Sequence, residues 1–250
     1  MSRFRASFIH LSISAVLVAA VLSVVYLVWY PEPLLDVAGA FPVVRLLVLV
    51  HLVIGPLLTL VVYVQGKAGL RFDLTVIGLL QIAALCYGSY RLYVEKPDYL
   101  VFAIDRVELI SSKQVDELAI QFEEPGTEQF AKLTQVFARP PENPKEHQRY
   151  LESLMTGQPD LERRAEFWEP WAAGAETIRN RVKAINKIEP TSSRESENIR
   201  QAVAEYGDLH PNLGVLPIGG IQRDLGMLID RDTLEVLDML DANPWPSDAP

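Results

Sequence analysis

RLLVLVHLVIGPLLTLVVYVQGK, residues Arg45–Lys67, is the stretch on which the reading of this chain turns. From Leu46 to Gly66 it holds no Asp, Glu, Lys or Arg, and as a helix it is long enough to cross a hydrocarbon layer of ~30 Å. Three residues sit oddly in that setting: His51, Gly55 and Pro56. Pro56 has no amide hydrogen for the carbonyl of Leu52, so a kink is expected there, and that carbonyl must find its donor in a neighbour. An imidazole one turn away is costly to leave facing lipid. This face must therefore pack against something.

Two similar runs flank it. Ala6–Pro31 is free of charge behind Arg3 and Arg5 and ends in Tyr26, Trp29 and Tyr30, which suits an interfacial aromatic belt. It is too long for a signal peptide and lacks a small-residue cleavage site, so an uncleaved spanning helix is expected. Ala15, Ala19 and Ser23 recur at every fourth position, a small-residue ridge that lets a second backbone approach, either a partner's or one of the chain's own helices. The third run, Leu74 to about Val94, carries Tyr87, Tyr90 and Tyr93 as a second belt and sets Gln81, Ala84 and Gly88 on one face.

Charge divides the chain. Residues 1–95 hold 6 Lys/Arg against 4 Asp/Glu, and residues 96–250 hold 17 against 28, so net +2 is followed by net −11. The expected fold class is a membrane-anchored α+β protein: three transmembrane helices in residues 1–95, an α+β domain in 96–242, and a disordered tail at 243–250. So acidic a domain argues against a nucleic-acid partner. Arg3, Arg5, Lys67 and Arg71 fall at one set of span ends, and the Pro31–Pro42 loop at the other has no Lys or Arg. The positive-inside rule then places the N-terminus in the cytoplasm and the acidic domain outside, which in a bacterium is the periplasm.

In the outer domain, YLVFAIDRVELI (Tyr99–Ile110) reads as a strand and SSKQVDELA as a short helix capped by Ser111 or Ser112. Helices are expected over Lys145–Met155 and Pro159–Ile185, and Ser192 with Glu195 makes a capping box for a helix to Tyr206. LGVLPI, DLGMLID and LEVLDML read as strands, with a hairpin turn at Asp230–Thr233.

Catalytic chemistry is hard to find. His147 and His210 have no partners at metal-ligand spacing, and Cys86, alone in an apolar run, offers neither a disulfide nor a cysteine-based metal site. GVLPIGG (Gly214–Gly220) has three glycines but not the order or following helix of a phosphate cradle. Asp224, Asp230, Asp232, Asp238 and Asp241 are dense but lack calcium-loop spacing. No cofactor, metal or enzymatic activity is expected.

Several long phrases carry a resemblance: MSRFRASFIHLSISA, WYPEPL, IGPLLTLVV, GLRFDLTVIGLLQIAALCYG, YLVFAIDRVELI, LPIGGIQRDLGMLID and LDANPW. Along nearly its whole length the chain resembles the TfpX/TfpZ family of type IV pilin accessory proteins. The resemblance implies a non-enzymatic, chaperone-like helper in the bacterial inner membrane that binds a cognate type IV pilin, stem and head, and promotes pilus assembly and twitching motility. That family often has an acidic residue ahead of its LGP phrase, where this chain has His51, so no intramembrane carboxylate is carried over. Type IV pilins commonly bear an acidic residue near the start of the stem, which makes His51, Gly55, Pro56, Ala15, Ala19, Ser23 and Gln81 the candidate client-binding residues. In the alternative, His51 bonds Gln81 or a hydroxyl inside the bundle. Two other functions compete. A pilin-modifying enzyme would need a carboxylate cleft, and a periplasmic sensor would need a larger cytoplasmic portion than about five and nine residues.

Overall fold

Helices α1 (Arg3–Val24), α3 (Phe41–Leu49), α4 (Gly55–Val62) and α5 (Leu70–Val94) make up most of the first of two compact units in the computed structural model. The structure describes residues 2–115, 120, 133–221 and 223–245. The first unit comprises Met1–Leu35 and Gly39–Lys96; the second comprises Asp36–Ala38 and Pro97–Pro250.

Three helical stretches of the first unit are long and apolar enough to cross a membrane: Arg3–Trp29, Phe41–Val62 and Leu70–Val94. Most of their apolar side chains point outward, Leu27 being 78% exposed, as expected where lipid rather than protein is the solvent. Cys86 is likewise exposed. The first stretch ends in a π turn, Val25–Trp29, after which the one-turn helix α2 (Leu34–Val37) lies in the connection to the second. Pro56 is accommodated by another π turn. Val50–Ile54 closes with the Gly55 amide donating to the Val50 carbonyl, and α4 starts with the proline in its first turn, where a missing donor costs nothing. Ser7 Oγ donates to the Pro56 carbonyl at 2.8 Å, and Tyr30 Oη donates to the Leu92 carbonyl at 2.9 Å.

The second unit is built on an eight-stranded sheet. Its strands are β1 (Tyr99–Ala103), β2 (Arg106–Ile110), β3 (Thr134–Ala138), β4 (Trp168–Pro170), β5 (Lys183–Ala184), β6 (Leu213–Gly219), β7 (Leu225–Asp230) and β8 (Val236–Leu240). The order is β4-β3-β1-β2-β6-β7-β8, with β5 paired to the start of β6. The β1/β3 and β2/β6 pairs are parallel and the others antiparallel. Every residue of β1 and β7 is buried, so the middle of the sheet is covered on both faces. One core gathers Tyr99, Val101 and Val136 with Phe167 and Trp168, and receives Tyr150 of α6 (Pro144–Met155). A second gathers Leu213, Val215 and Leu228 with Ile199 and Tyr206 of α8 (Ser193–Tyr206).

Four expectations need correction. Tyr99–Ile110 is a hairpin, because Ile104 turns at φ 61° and the Asp105 amide donates to the Ala103 carbonyl at 2.7 Å, a γ-turn that alternation cannot reveal. Pro159–Ile185 is not one helix: short 3₁₀ turns and β4 precede α7 (Ala175–Arg181). Pro170 cannot donate to a helical amide ladder, and Trp168–Pro170 pair instead with β3. After Ser111 a single 3₁₀ turn, Ser112–Gln114, replaces the expected helix, whose last residues, 116–119, lie outside the described residues. The tail is held through residue 245, where Trp245 Nε1 donates to Asp224 Oδ2 at 2.8 Å; residues 246–250 lie outside the described residues. β3 was not anticipated. The α8 cap is close to its expected form: Ser192 Oγ accepts from the Glu195 amide at 3.2 Å, but the Glu195 carboxylate reaches the Thr191 amide, one residue further back.

Candidate functional site

Polar side chains inside an apolar bundle are the chemistry that the first unit offers. His51 is 2% exposed. Its Nδ1 lies 2.8 Å from the Leu47 carbonyl oxygen and its Nε2 lies 3.1 Å from that of Gln81. Carbonyl oxygens only accept, and a neutral imidazole has one donor, so both contacts are hydrogen bonds only when both nitrogens carry protons.

His10, on α1, was missed by sequence reasoning, although an imidazole in a charge-free run is the same signal that singled out His51. Its Nδ1 is 2.5 Å from Thr59 Oγ1, and its Nε2 meets Gln81 Oε1. An amide oxygen only accepts, so Nε2 is the donor in that contact. The Gln81 carboxamide also donates weakly to the Val50 carbonyl, at 3.4 Å. Gly55 makes room for it: a Cβ there would lie on top of the Gln81 amide group. One carboxamide thus ties all three spans together.

Beside this network lies a cavity of about 380 Å³, lined by His10, His51, Thr59, Gln81 and Ser14 among apolar residues such as Ile13 and Leu85. Of the seven candidate client-binding residues, the structure brings together His51, Gly55 and Gln81, with Pro56 adjoining in the buried first turn of α4. Ala15, Ala19 and Ser23 are exposed and do not line the cavity, and Ser23 Oγ bonds back to the Ala19 carbonyl at 2.8 Å.

The acidic residues singled out in the second unit form no common site. Asp224 accepts from the Gly220 amide and Trp245, Asp232 accepts from Asn212, Asp238 from Tyr206, and Asp241 pairs with Arg223. Asp230, 5% exposed, accepts from His210 Nδ1 at 2.8 Å and from the amides of Asp232 and Thr233, so His210 has an acidic partner that its sequence neighbours did not reveal. Burial alone would raise the Asp230 pKa, but these hydrogen bonds outweigh it and hold the carboxyl below its ordinary value. Glu108 shifts the other way, raised first by burial. His147 lies in the shallow surface around Pro141 and Leu151. The glycines of GVLPIGG serve close packing: Gly219 lies against the Glu108 carboxylate and Gly220 against the Arg223 carbonyl.

Residues 1–39 match the family described as fimbrial assembly protein FimB. The chain is similar to the fimbrial assembly protein of Dichelobacter nodosus serogroup E1, with 25% identity over 206 residues, covering 80% of this chain and 79% of that protein. The serogroup I protein of that organism is 27% identical over 187 residues, 72% of each chain. The protein of serogroups C1 and C2 is 30% identical over 118 residues, 46% of this chain and 90% of that one. No solved structure matches.

Proposed function

This chain belongs to the fimbrial assembly protein family, and from that premise we propose that it assists type IV pilus assembly by binding the pilin before it is polymerised. In this reading the first unit sits in the bacterial inner membrane with the N-terminus in the cytoplasm, and the second unit works in the periplasm. The pilin stem helix lies against the polar cavity of the first unit. The protein acts as a chaperone-like holder and carries out no reaction.

The observation that carries this reading is the cavity itself: two imidazoles and a carboxamide around an opening among otherwise apolar spans. Polar groups at such depth are costly and are by default functional. His10 and His51 set imidazole nitrogens on the cavity wall, hydrogen-bonding groups that suit the carboxyl a pilin stem brings near its start.

The test is capture. A photo-crosslinking residue at Ile13 or Leu85 should form an adduct with the cognate pilin in living cells, and His51→Leu should reduce that adduct several-fold while the protein still accumulates. Deleting the gene should lower surface pili and twitching motility. A well-expressed His51→Leu protein that captures pilin normally would remove the imidazole from the reading, and unchanged pilin level, piliation and motility in the deletion strain would remove the function.

A further inference from the structure

The second unit has one basic island. IRNRVKAINKI (Ile178–Ile188) holds Arg179, Arg181, Lys183 and Lys187 and no acidic residue, in a region with 17 Lys/Arg against 28 Asp/Glu. Most arginines of this unit, including Arg139, Arg164 and Arg223, lie against carboxylates. Arg231 does not. Among the described residues its side chain has no ion pair or hydrogen bond, and its Nε is buried without a partner.

The fold holds Arg231 in that state. Its amide donates to the Asn212 carbonyl at 3.0 Å, and its stem crosses β6 at Gly214, where a Cβ would lie 2.6 Å from Arg231 Cγ. The neighbouring carboxylates are engaged elsewhere, Asp230 with His210 at 2.8 Å and Asp232 with Asn212 Nδ2 at 2.6 Å. Arg179 adds a second cation beside the turn, donating to the carbonyls of Arg231 and Asp232 at 3.4 and 3.3 Å.

Arg231 also lines a cavity of about 300 Å³, whose other walls include Ile185, Ile199, Val203, Pro211 and Leu213. Val203 is 43% exposed. A small apolar recess beside a guanidinium without a counter-charge selects for two features together, an apolar side chain and an adjacent carboxylate. Free phosphate would use only the cation and leave the apolar wall wet. We propose that this recess docks an acidic peptide segment of a protein partner, its Leu- or Phe-type side chain in the cavity and a neighbouring carboxylate on Arg231. Arg231 is partly exposed along the cavity, and a carboxylate suits a guanidinium in planar, two-pronged geometry.

The experiment uses the full chain in detergent micelles and a fluorescein-labelled peptide of sequence Gly-Ser-Asp-Leu-Phe-Asp-Ser-Gly, read by fluorescence anisotropy. Binding should saturate and should weaken about tenfold or more in Arg231→Gln, as expected for loss of a charge-assisted pair. Val203→Asp and a peptide with Asn in place of both Asp residues should weaken it comparably. Val203 is exposed, so its variant tests the site even if Arg231→Gln does not accumulate. Unchanged binding in Val203→Asp or with the Asn peptide would overturn the proposal. So would equal binding of a peptide with Ser-Ser in place of Leu-Phe, or displacement by millimolar phosphate, either of which would leave a plain anion site.

Discussion

Gly55 and Gln81 compete for the same space in the helical bundle, and that competition can be measured. A methyl at 55 lands on the Gln81 amide group, which is the end of a flexible side chain and must move. Moving it breaks the contact with His10 Nε2 and the weak bond to the Val50 carbonyl. Gly55→Ala should therefore lower stability in detergent by about 1–3 kcal/mol. In a Gln81→Ala background the same methyl should cost far less, since nothing is left to displace. A thermal-melt cycle of the four proteins reads the coupling, and simple additivity would mean that the glycine serves another purpose. At this scale the sequence was only partly legible. His51 stood out because an imidazole in a span demands a partner; His10 sent the same signal and was passed over. Gly55 read as a helix irregularity, because which helix lies opposite a glycine is not written in its neighbours.

Elements with a strong local signal were readable: α6 and α8 begin at capping side chains, Asn143 and Ser192, and β6, β7 and β8 follow their apolar runs. The hairpin at Ile104 and the broken stretch before α7 were not, since both depend on tertiary burial overriding a local pattern. The β7–β8 turn was legible as a turn but not as a titrating one. Asp230 ties it to His210 and to two amides, and its carboxyl is held below the ordinary 3.8. A carboxyl depressed in the folded state stabilises above its unfolded pKa, and that stability is lost as pH falls through the folded value. The native protein should accordingly lose stability as pH drops below about 4. Asp230→Asn should be less stable at neutral pH, by about 1–3 kcal/mol, and should show a shallower decline over the acid range. Chemical denaturation at several pH values measures both, and parallel acid profiles would show that the turn does not titrate in this way.

Across the whole molecule, charge and apolarity are sorted along the chain so strongly that three long apolar helices and an acidic α+β domain could be read before any contact was known. What could not be read was which polar groups would converge, because His10, His51, Thr59 and Gln81 come from three separate spans. Orientation is the remaining molecular-scale property with a sequence cause. Arg3, Arg5, Lys67 and Arg71 lie at one set of span ends, and the Pro31–Pro42 loop has no Lys or Arg. At the opposite end of the third span Arg91 is paired with Glu95, and Lys96 Nζ lies 5.8 Å from the centroid of the Tyr93 ring. With Arg45, which follows the Pro31–Pro42 loop, these cations lie close to span ends and their stems are long enough to reach the interface, so they weigh less against the basic residues opposite. The basic residues of the N-terminus and of the second loop should then stay in the cytoplasm. A reporter that is active only in the periplasm should be active when fused after Pro250 and silent when fused at Lys67. The reverse pattern would place the second unit in the cytoplasm, where it would meet no pilin head, and the function proposed above would lose its geometry along with its topology.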